Sequence, residues 1–542
     1  MISSEKNQNT TDEILPLNDV VPNDDDFLKQ SHEKEAARGQ FANKMDYLLS
    51  LIGYSVGLAN IWRFPYLCYQ NGGGAFLFPY MICLVFCGVP LFFMEVSIGQ
   101  FTSRSSATMW SICPWFKGVG WASVVVSLLC SWYFNVLLSY AIFFIYQSLT
   151  FDYLPWHWCG QEWNSKQCLD YNNDTIARQY SQYLGWKRNG SDENFWQGWY
   201  SQYANVSWKS PSEEYFNGAV LQLSKGLDEP GGIVWGLVPC LLIGWILTFL
   251  CLIKGVESSG KAVYFTATFP YILLTVLLVK GLTLEGAMDG IMFYIKPNFT
   301  TLLNPKPWSD AAFQVFFSLG PGWGGLVTMG SYNRFHNNVY SDSMYLPLLM
   351  ELTSVYAGFV VFSVLGFMAH KMGRPVVEVV TEVKKYQNQC VRLKKSLFLK
   401  LSSVQCIYLR SIFEITFFLG PSLFFITYPE IVTKLPLSQV WSVLFFFMVV
   451  IVGLDTEFVM IETAITAIYD EMPDRFKVKI ERIWILIGIC TILFLLGLVF
   501  VLRSGAYLLH LVDVYSSFYA LMVVCIIELI SVGWIYGKID QD

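Results

Sequence analysis

The chain has 542 residues and a formal net charge of −6; 54% of it is hydrophobic, 17% aromatic and only 14% charged, with a mean hydropathy of +0.42. Soluble domains carry roughly 25% charged residues, so an ordinary globular fold is excluded, and the negative balance leaves no basic field to attract nucleic acid. The aromatic share suits segments that end at lipid headgroups, where Trp and Tyr rings settle.

Residues 1–44 are polar, with the acidic run Asp24-Asp25-Asp26, and lack the apolar core of a signal peptide; they read as a disordered cytoplasmic tail. Ten apolar stretches follow, near 46–69, 75–100, 120–149, 233–253, 262–282, 311–332, 343–369, 438–468, 482–502 and 506–536. Each is long enough to cross a bilayer at about twenty residues per helix. The expected fold is an all-α polytopic membrane protein. Basic residues mark every second connection: Arg38 and Lys44, Arg104 and Lys117, Lys254 and Lys261, Arg334, then Arg475, Lys477, Lys479 and Arg482. By the positive-inside rule these face the cytoplasm, and the amino terminus with them.

The opposite connections agree. The long loop 150–232 holds glycosylation sequons at Asn173, Asn189 and Asn205, and Asn298 opens a fourth in the next outward loop. Cys159 and Cys168 share the long loop and could close a disulfide in an oxidising compartment.

The first stretch, Gly53-Tyr54-Ser55-Val56-Gly57-Leu58-Ala59-Asn60-Ile61-Trp62-Arg63, places Asn60 and Arg63 inside an apolar run, just after two glycines. Burying Arg in a membrane is costly, so Arg63 needs a cavity and a partner. A helix that unwinds near Gly57 frees carbonyls for a cation and amides for an anion. The sixth stretch repeats the pattern as Ser318-Leu319-Gly320-Pro321-Gly322-Trp323-Gly324-Gly325. The two interruptions lie five stretches apart, in the first and the sixth, which fits two inverted five-helix repeats, 45–282 and 309–537, with a central site between broken first and sixth helices.

The run from Gly53 through Asn71-Gly72-Gly73-Gly74-Ala75-Phe76, the stretch Ser318 to Tyr332, and Gly453-Leu454-Asp455-Thr456 resemble the signature of the sodium- and chloride-dependent neurotransmitter transporter family, the neurotransmitter:sodium symporters. Within it the chain is similar to amino acid carriers of the broad neutral and cationic type, over residues 38 to 537. The resemblance implies one sodium site from the carbonyls of Gly53, Val56 and Val452 with the side chains of Asp455 and Thr456. Hard oxygen donors with one carboxylate also suit sodium on chemical grounds. A second sodium site would use Ser55, Asn60 and Ser318, with chloride beside it on Tyr80, Gln314, Ser318 and Ser354. The implied substrate pocket is Ser55, Gly57, Leu58, Ala59, Cys130, Phe134, Phe317, Ser318, Gly320, Trp323 and Thr456. Arg63 and Asp513 resemble the outer gate, Arg38 and Asp470 the inner latch. Gly57 stands where the monoamine branch has an Asp, which leaves room for a substrate carboxylate and implies a small amino acid or amino-acid-like solute.

Several positions depart from that pattern. Phe134 replaces a tyrosine that holds the substrate carboxylate, Ala59 a glycine beside it, and Met350 an asparagine shared by sodium and chloride. Glu457 and Met460 stand where small or neutral residues are usual. Segment 383–419 reads as an insertion that brings seven basic residues into an outward loop, and two of the family's twelve spans are not expected here. Other chemistry is thin. The five histidines show no metal-ligand spacing, Gly72-Gly73-Gly74 lacks the ending of a phosphate loop, and no nucleophile elbow is present, so no enzyme is expected. The expected activity is secondary active symport of a small amino acid with sodium at the plasma membrane; chloride is a candidate second ion, and Met350 is expected to leave dependence on it weak or absent. The alternative is a non-transporting regulatory or trafficking membrane protein of the same fold.

Overall fold

A computed structural model of the chain describes residues 40–150, 152–165, 168, 209–224, 226–253, 256–371, 421–433, 435–477 and 481–536. Arg38, Asn173, Asn189, Asn205 and the segment 383–419 lie outside the described residues. Among the described residues the protein is helical. There are two isolated bridges, Cys168 with Lys209 and Ile233 with Leu502, and no strand.

The first apolar stretch is two helices, α1 (Lys44–Ser55) and α2 (Leu58–Gln70). The Asp46 carboxylate accepts from the Asn43 backbone N–H at 3.2 Å and starts α1, as an acid near a helix N-terminus does. Then follow α3 (Gly73–Thr102), α4 (Lys117–Ser148), α5 (Leu237–Leu252), α6 (Val256–Leu282) and a short α7 (Ala287–Ile295). The sixth apolar stretch is again two helices, α8 (Lys306–Leu319) and α9 (Gly325–Ser331). They precede α10 (Val339–Lys371), α11 (Pro421–Val432), α12 (Ser438–Glu471) and α13 (Arg482–Gly497). The last apolar stretch is α14 (Gly505–Val514) and α15 (Leu521–Ile530), joined and followed by wider π turns.

Among the described residues six helices are long and apolar enough to cross a membrane, and two shorter apolar ones lie at Leu237–Leu252 and Leu521–Ile535. They differ in what they face. In α12, 89% of the most apolar window is buried, against 28% in α6 and 33% in the helix that starts at Arg482. The latter two turn Ile272, Val279, Ile492 and Leu495 outward, each about half or more exposed, an arrangement stable only where the surroundings are themselves apolar. So α12 is the axis against which α1, α4 and α9 pack, and the sites below are built on it.

Several short elements lie in stretches that the sequence reading left as connections, α11 among them. The connection between the fifth and sixth stretches folds into α7, and the region read as the loop 150–232 contains a helix over Pro211–Glu214 that continues as a π turn to Val220. The second was signalled by Ser210-Pro211: the Ser210 hydroxyl accepts from the Glu213 N–H at 3.2 Å, and Pro follows it at the first helical position. In the same loop Cys159 and Cys168 are joined by a disulfide, with their Cα atoms 5.8 Å apart.

Candidate functional site

The α1–α2 break falls at Val56 (φ −83°, ψ 72°) and Gly57 (φ −94°, ψ −173°), both outside the helical region. The carbonyls that α1 would have bonded onward are therefore released in the protein interior, where each requires a partner. Two residues of α12 meet this break. The Thr456 hydroxyl donates to the Tyr54 carbonyl at 3.3 Å. Asp455 lies against Gly53 so closely that a Cβ there would sit 2.9 Å from Asp455 Oδ2. Asp455 is buried, and its Oδ1 makes no hydrogen bond. Thr266 on α6 also reaches this carboxylate, a neighbour not foreseen in the sequence. The sequence-predicted set Gly53, Val56, Asp455 and Thr456 is thus gathered at one break, with Val452 one turn before Thr456 on the buried length of α12.

The second break, between α8 and α9, is a run of left-handed glycines: Gly320 (φ 72°), Gly322 (φ 79°) and Gly324 (φ 75°), a backbone that residues with a Cβ rarely adopt. Tyr54 from α1 donates its hydroxyl to the Gly320 carbonyl at 3.0 Å, and Ser55 donates to the Leu319 carbonyl at 3.3 Å. The two breaks therefore face one another. Opposite, the buried Glu95 carboxylate accepts the Gly322 N–H at 2.6 Å, and Ser127 on α4 donates to the Trp323 carbonyl at 2.6 Å.

The predicted chloride ligands meet something else. The hydroxyls of Tyr80 and Ser318 both donate to the carboxylate of Glu351 on α10, and the Ser354 hydroxyl lies 3.5 Å from its Oε2. Asn60 Nδ2 donates in turn to Ser354 Oγ at 2.9 Å, while Asn60 Oδ1 is buried without a hydrogen bond. Gln314 is buried beside them with neither side-chain polar atom bonded. Glu351 is 1% exposed and neighbours the fully buried Met350. Both carboxyl oxygens of Glu351 thus act as acceptors for neighbouring hydroxyls. Three of the four residues expected to hold a chloride are therefore committed to a carboxylate that the sequence reading overlooked.

Of the expected substrate pocket, Leu58, Ala59, Cys130, Phe134, Ser318 and Trp323 are buried. The Phe317 ring lies edge-on to Trp323 at 5.5 Å, with the Arg63 guanidinium 4.8 Å above it. Gly57 leaves space by the Thr456 hydroxyl, 3.0 Å from where a Cβ would be. The hydroxyl that Phe134 lacks exists one residue earlier. Tyr133 Oη accepts from Cys130 at 3.2 Å and donates to Asp513 Oδ1 at 2.7 Å.

Asp513 is close enough to Arg63 for their charges to interact, and so is Asp310, which the sequence reading did not single out. At the opposite end Asp470 accepts from the Ser105 N–H at 3.0 Å, its expected partner Arg38 being outside the described residues. There Glu462 pairs with Arg482 and accepts from Tyr332 Oη at 2.6 Å. The fourth sequon residue, Asn298, is exposed just after α7. Among the described residues no three His, Cys, Asp or Glu side chains are grouped to hold a metal.

The model of the sodium:neurotransmitter symporter family matches residues 38–541. The chain is 40% identical over 523 residues to the sodium- and chloride-dependent glycine transporter 1 of Xenopus laevis, an overlap of 96% of this chain and 75% of that protein. It is 39% identical over 512 residues to the sodium- and chloride-dependent glycine transporter 2 of the same species, covering 93% of this chain and 60% of that one.

Proposed function

Because this chain belongs to the sodium:neurotransmitter symporter family, a family of membrane transporters and not of enzymes, we propose that it couples sodium entry to the uptake of a small amino acid by alternating access. The observation that carries this reading is the pair of facing helix breaks, together with two buried, unbonded oxygens on residues gathered there, Asp455 Oδ1 and Asn60 Oδ1. A buried oxygen without a donor is unfavourable by about 1–3 kcal/mol, and a hard cation relieves it at both places. One sodium then takes the Gly53, Val56 and Val452 carbonyls with Asp455 and Thr456. The other takes Ser55, Asn60 and Ser318.

The substrate lies between the breaks. Its carboxylate meets the amino-terminal end of α2 beside Gly57, Leu58 and Ala59, where backbone N–H groups and the helix dipole favour an anion. Phe317 and Trp323 bound its side chain and keep it small, and both relatives carry glycine in their names. Arg63 with Asp513 closes the outer side; Arg38 with Asp470 latches the inner one. Sodium orders the break, substrate bridges α2 to α8, and the two gates exchange.

Chloride is where this chain departs from its relatives, both named for it. Glu351 supplies, as a fixed charge, what a bound chloride would bring beside the second sodium. A unit charge 4 Å from a cation is worth about 4 kcal/mol at an effective dielectric constant of 20, enough to replace an ion rather than tune it. We read the membrane architecture as ten spans in two inverted five-helix repeats, with the amino terminus cytoplasmic and the loop 150–232 outside. The test is uptake of a panel of radiolabelled amino acids, glycine first, by cells displaying the chain at their surface. Accumulation in sodium and none in N-methylglucamine is expected. Surface expression without sodium-dependent uptake of any of them contradicts the reading.

A further inference from the structure

Asp513 is the last but one residue of α14, just where the chain widens into the π turn Tyr515–Ala520. Tyr133 lies in the middle of the much longer α4, which packs along α12, and is 2% exposed. The two meet in a hydrogen bond of 2.7 Å from Tyr133 Oη to Asp513 Oδ1. An acid at the end of a short helix is thus tied to a long, buried one.

The direction of that bond is set from below. A tyrosine hydroxyl carries one proton and also accepts. Cys130, one turn earlier and on the same face of α4, donates its thiol to Tyr133 Oη at 3.2 Å. With an accepting position taken by the thiol, the hydroxyl proton points at Asp513. Cys130 is itself one of the residues expected to line the substrate pocket.

The other partner of Asp513 is Arg63, whose guanidinium lies 4.8 Å above the Phe317 ring of α8. Asp513, Asp310 and Tyr133 are all close enough to act on its charge. Attraction between opposite charges depends on distance and carries no direction of its own, and Arg63 has two acids to choose between. A hydrogen bond does demand a direction. The pairing of Arg63 with Asp513 in particular therefore needs a group that fixes where the Asp513 carboxylate stands.

We propose that Tyr133 is a positioning residue of the outer gate: its hydroxyl, oriented by Cys130, holds the Asp513 carboxylate where Arg63 meets it. This rests on the gate reading given above and adds its anchor on α4. Arg63→Gln, Asp513→Asn and the two together are made in the wild type and in Tyr133→Phe, and the melting of each purified full chain is followed in detergent. The departure of the pair from the sum of the single shifts reads the interaction between Arg63 and Asp513. That departure is expected in the wild type and largely lost in Tyr133→Phe, although both charges remain. A tyrosine that only filled space would lower every melting temperature alike and leave the departure unchanged. Losing one hydrogen bond to a charged group shifts an equilibrium by roughly ten- to hundredfold, so glycine uptake by surface-displayed Tyr133→Phe should fall at least about tenfold.

An equal departure in both backgrounds overturns the proposal, and so does wild-type uptake by Tyr133→Phe. No departure in either background overturns it as well, since Arg63 and Asp513 then form no gate to be positioned. The melting comparison needs neither substrate nor transport. A wild type that takes up no amino acid therefore contradicts the symport reading and leaves this test in force. If Arg63→Gln does not fold, Arg63→Lys keeps the charge and gives up the planar fork, and the same comparison is read on it.

Discussion

Asp455 and Glu351 are two buried acids whose surroundings differ. Asp455 lies against a glycine at a helix break, with one oxygen free of hydrogen bonds. Glu351 has both oxygens taken by hydroxyls from α3, α8 and its own helix. On the proposed reading the first is a cation ligand and the second a fixed charge already held by hydroxyls. Residue type does not decide which role a buried carboxylate plays; the donors and free carbonyls packed around it do.

The comparison can be broken most sharply at Asp455. Asp455→Ala removes the acid of the first sodium site and should lower sodium-driven uptake at least about a hundredfold, since pairing of this strength is worth several kcal/mol. Surface labelling should show the protein still inserted. Uptake near the wild-type level by a surface-displayed variant would remove Asp455 from the mechanism.

A smaller effect is expected at Glu351. Glu351→Ser opens the space and deletes the charge, so uptake in chloride-free medium should fall about tenfold and recover when chloride is added. Met350→Asn alone leaves the carboxylate in place and should stay indifferent to chloride. If Glu351→Ser remains equally indifferent, Glu351 is not the anion's replacement.

Tyr80→Phe sharpens the comparison without changing any charge. It takes one donor from Glu351 and should lower stability by about 1–3 kcal/mol, read as a lower melting temperature in detergent with the same ion requirements. The gentlest change is Phe134→Tyr, which adds a hydroxyl on the face of α4 proposed to meet the substrate. It should lower KM a few-fold with kcat unchanged, as uniform binding does; a rise in KM would place Phe134 outside the pocket.

Much of this was legible from local pattern. Hydropathy located the apolar stretches to within a few residues, and Gly57 and Gly320-Pro321-Gly322 marked the two breaks: Gly57 is a poor helix interior, and Gly320 and Gly322 take a left-handed backbone that few other residues tolerate. The gathering of Gly53, Asp455 and Thr456 was expected only through resemblance, since 402 residues separate Tyr54 from the Thr456 hydroxyl it meets. Glu351 was missed although a signal existed, an acid deep within the apolar stretch 343–369. Its role was not readable there, because Tyr80 is 271 residues away and only helix packing brings the two together. The helix α7, nine residues long, lies between apolar stretches and is too short to announce itself by hydropathy. Asp310 escaped notice for a related reason: its relation to Arg63 is tertiary.

The most direct measurement is ion substitution on one preparation of surface-displayed wild-type chain. Initial uptake of a labelled amino acid substrate is compared in sodium chloride, sodium gluconate and N-methylglucamine chloride. The account predicts uptake that disappears without sodium and is unchanged when gluconate replaces chloride. Uptake that survives in N-methylglucamine chloride, or that collapses in sodium gluconate, contradicts it.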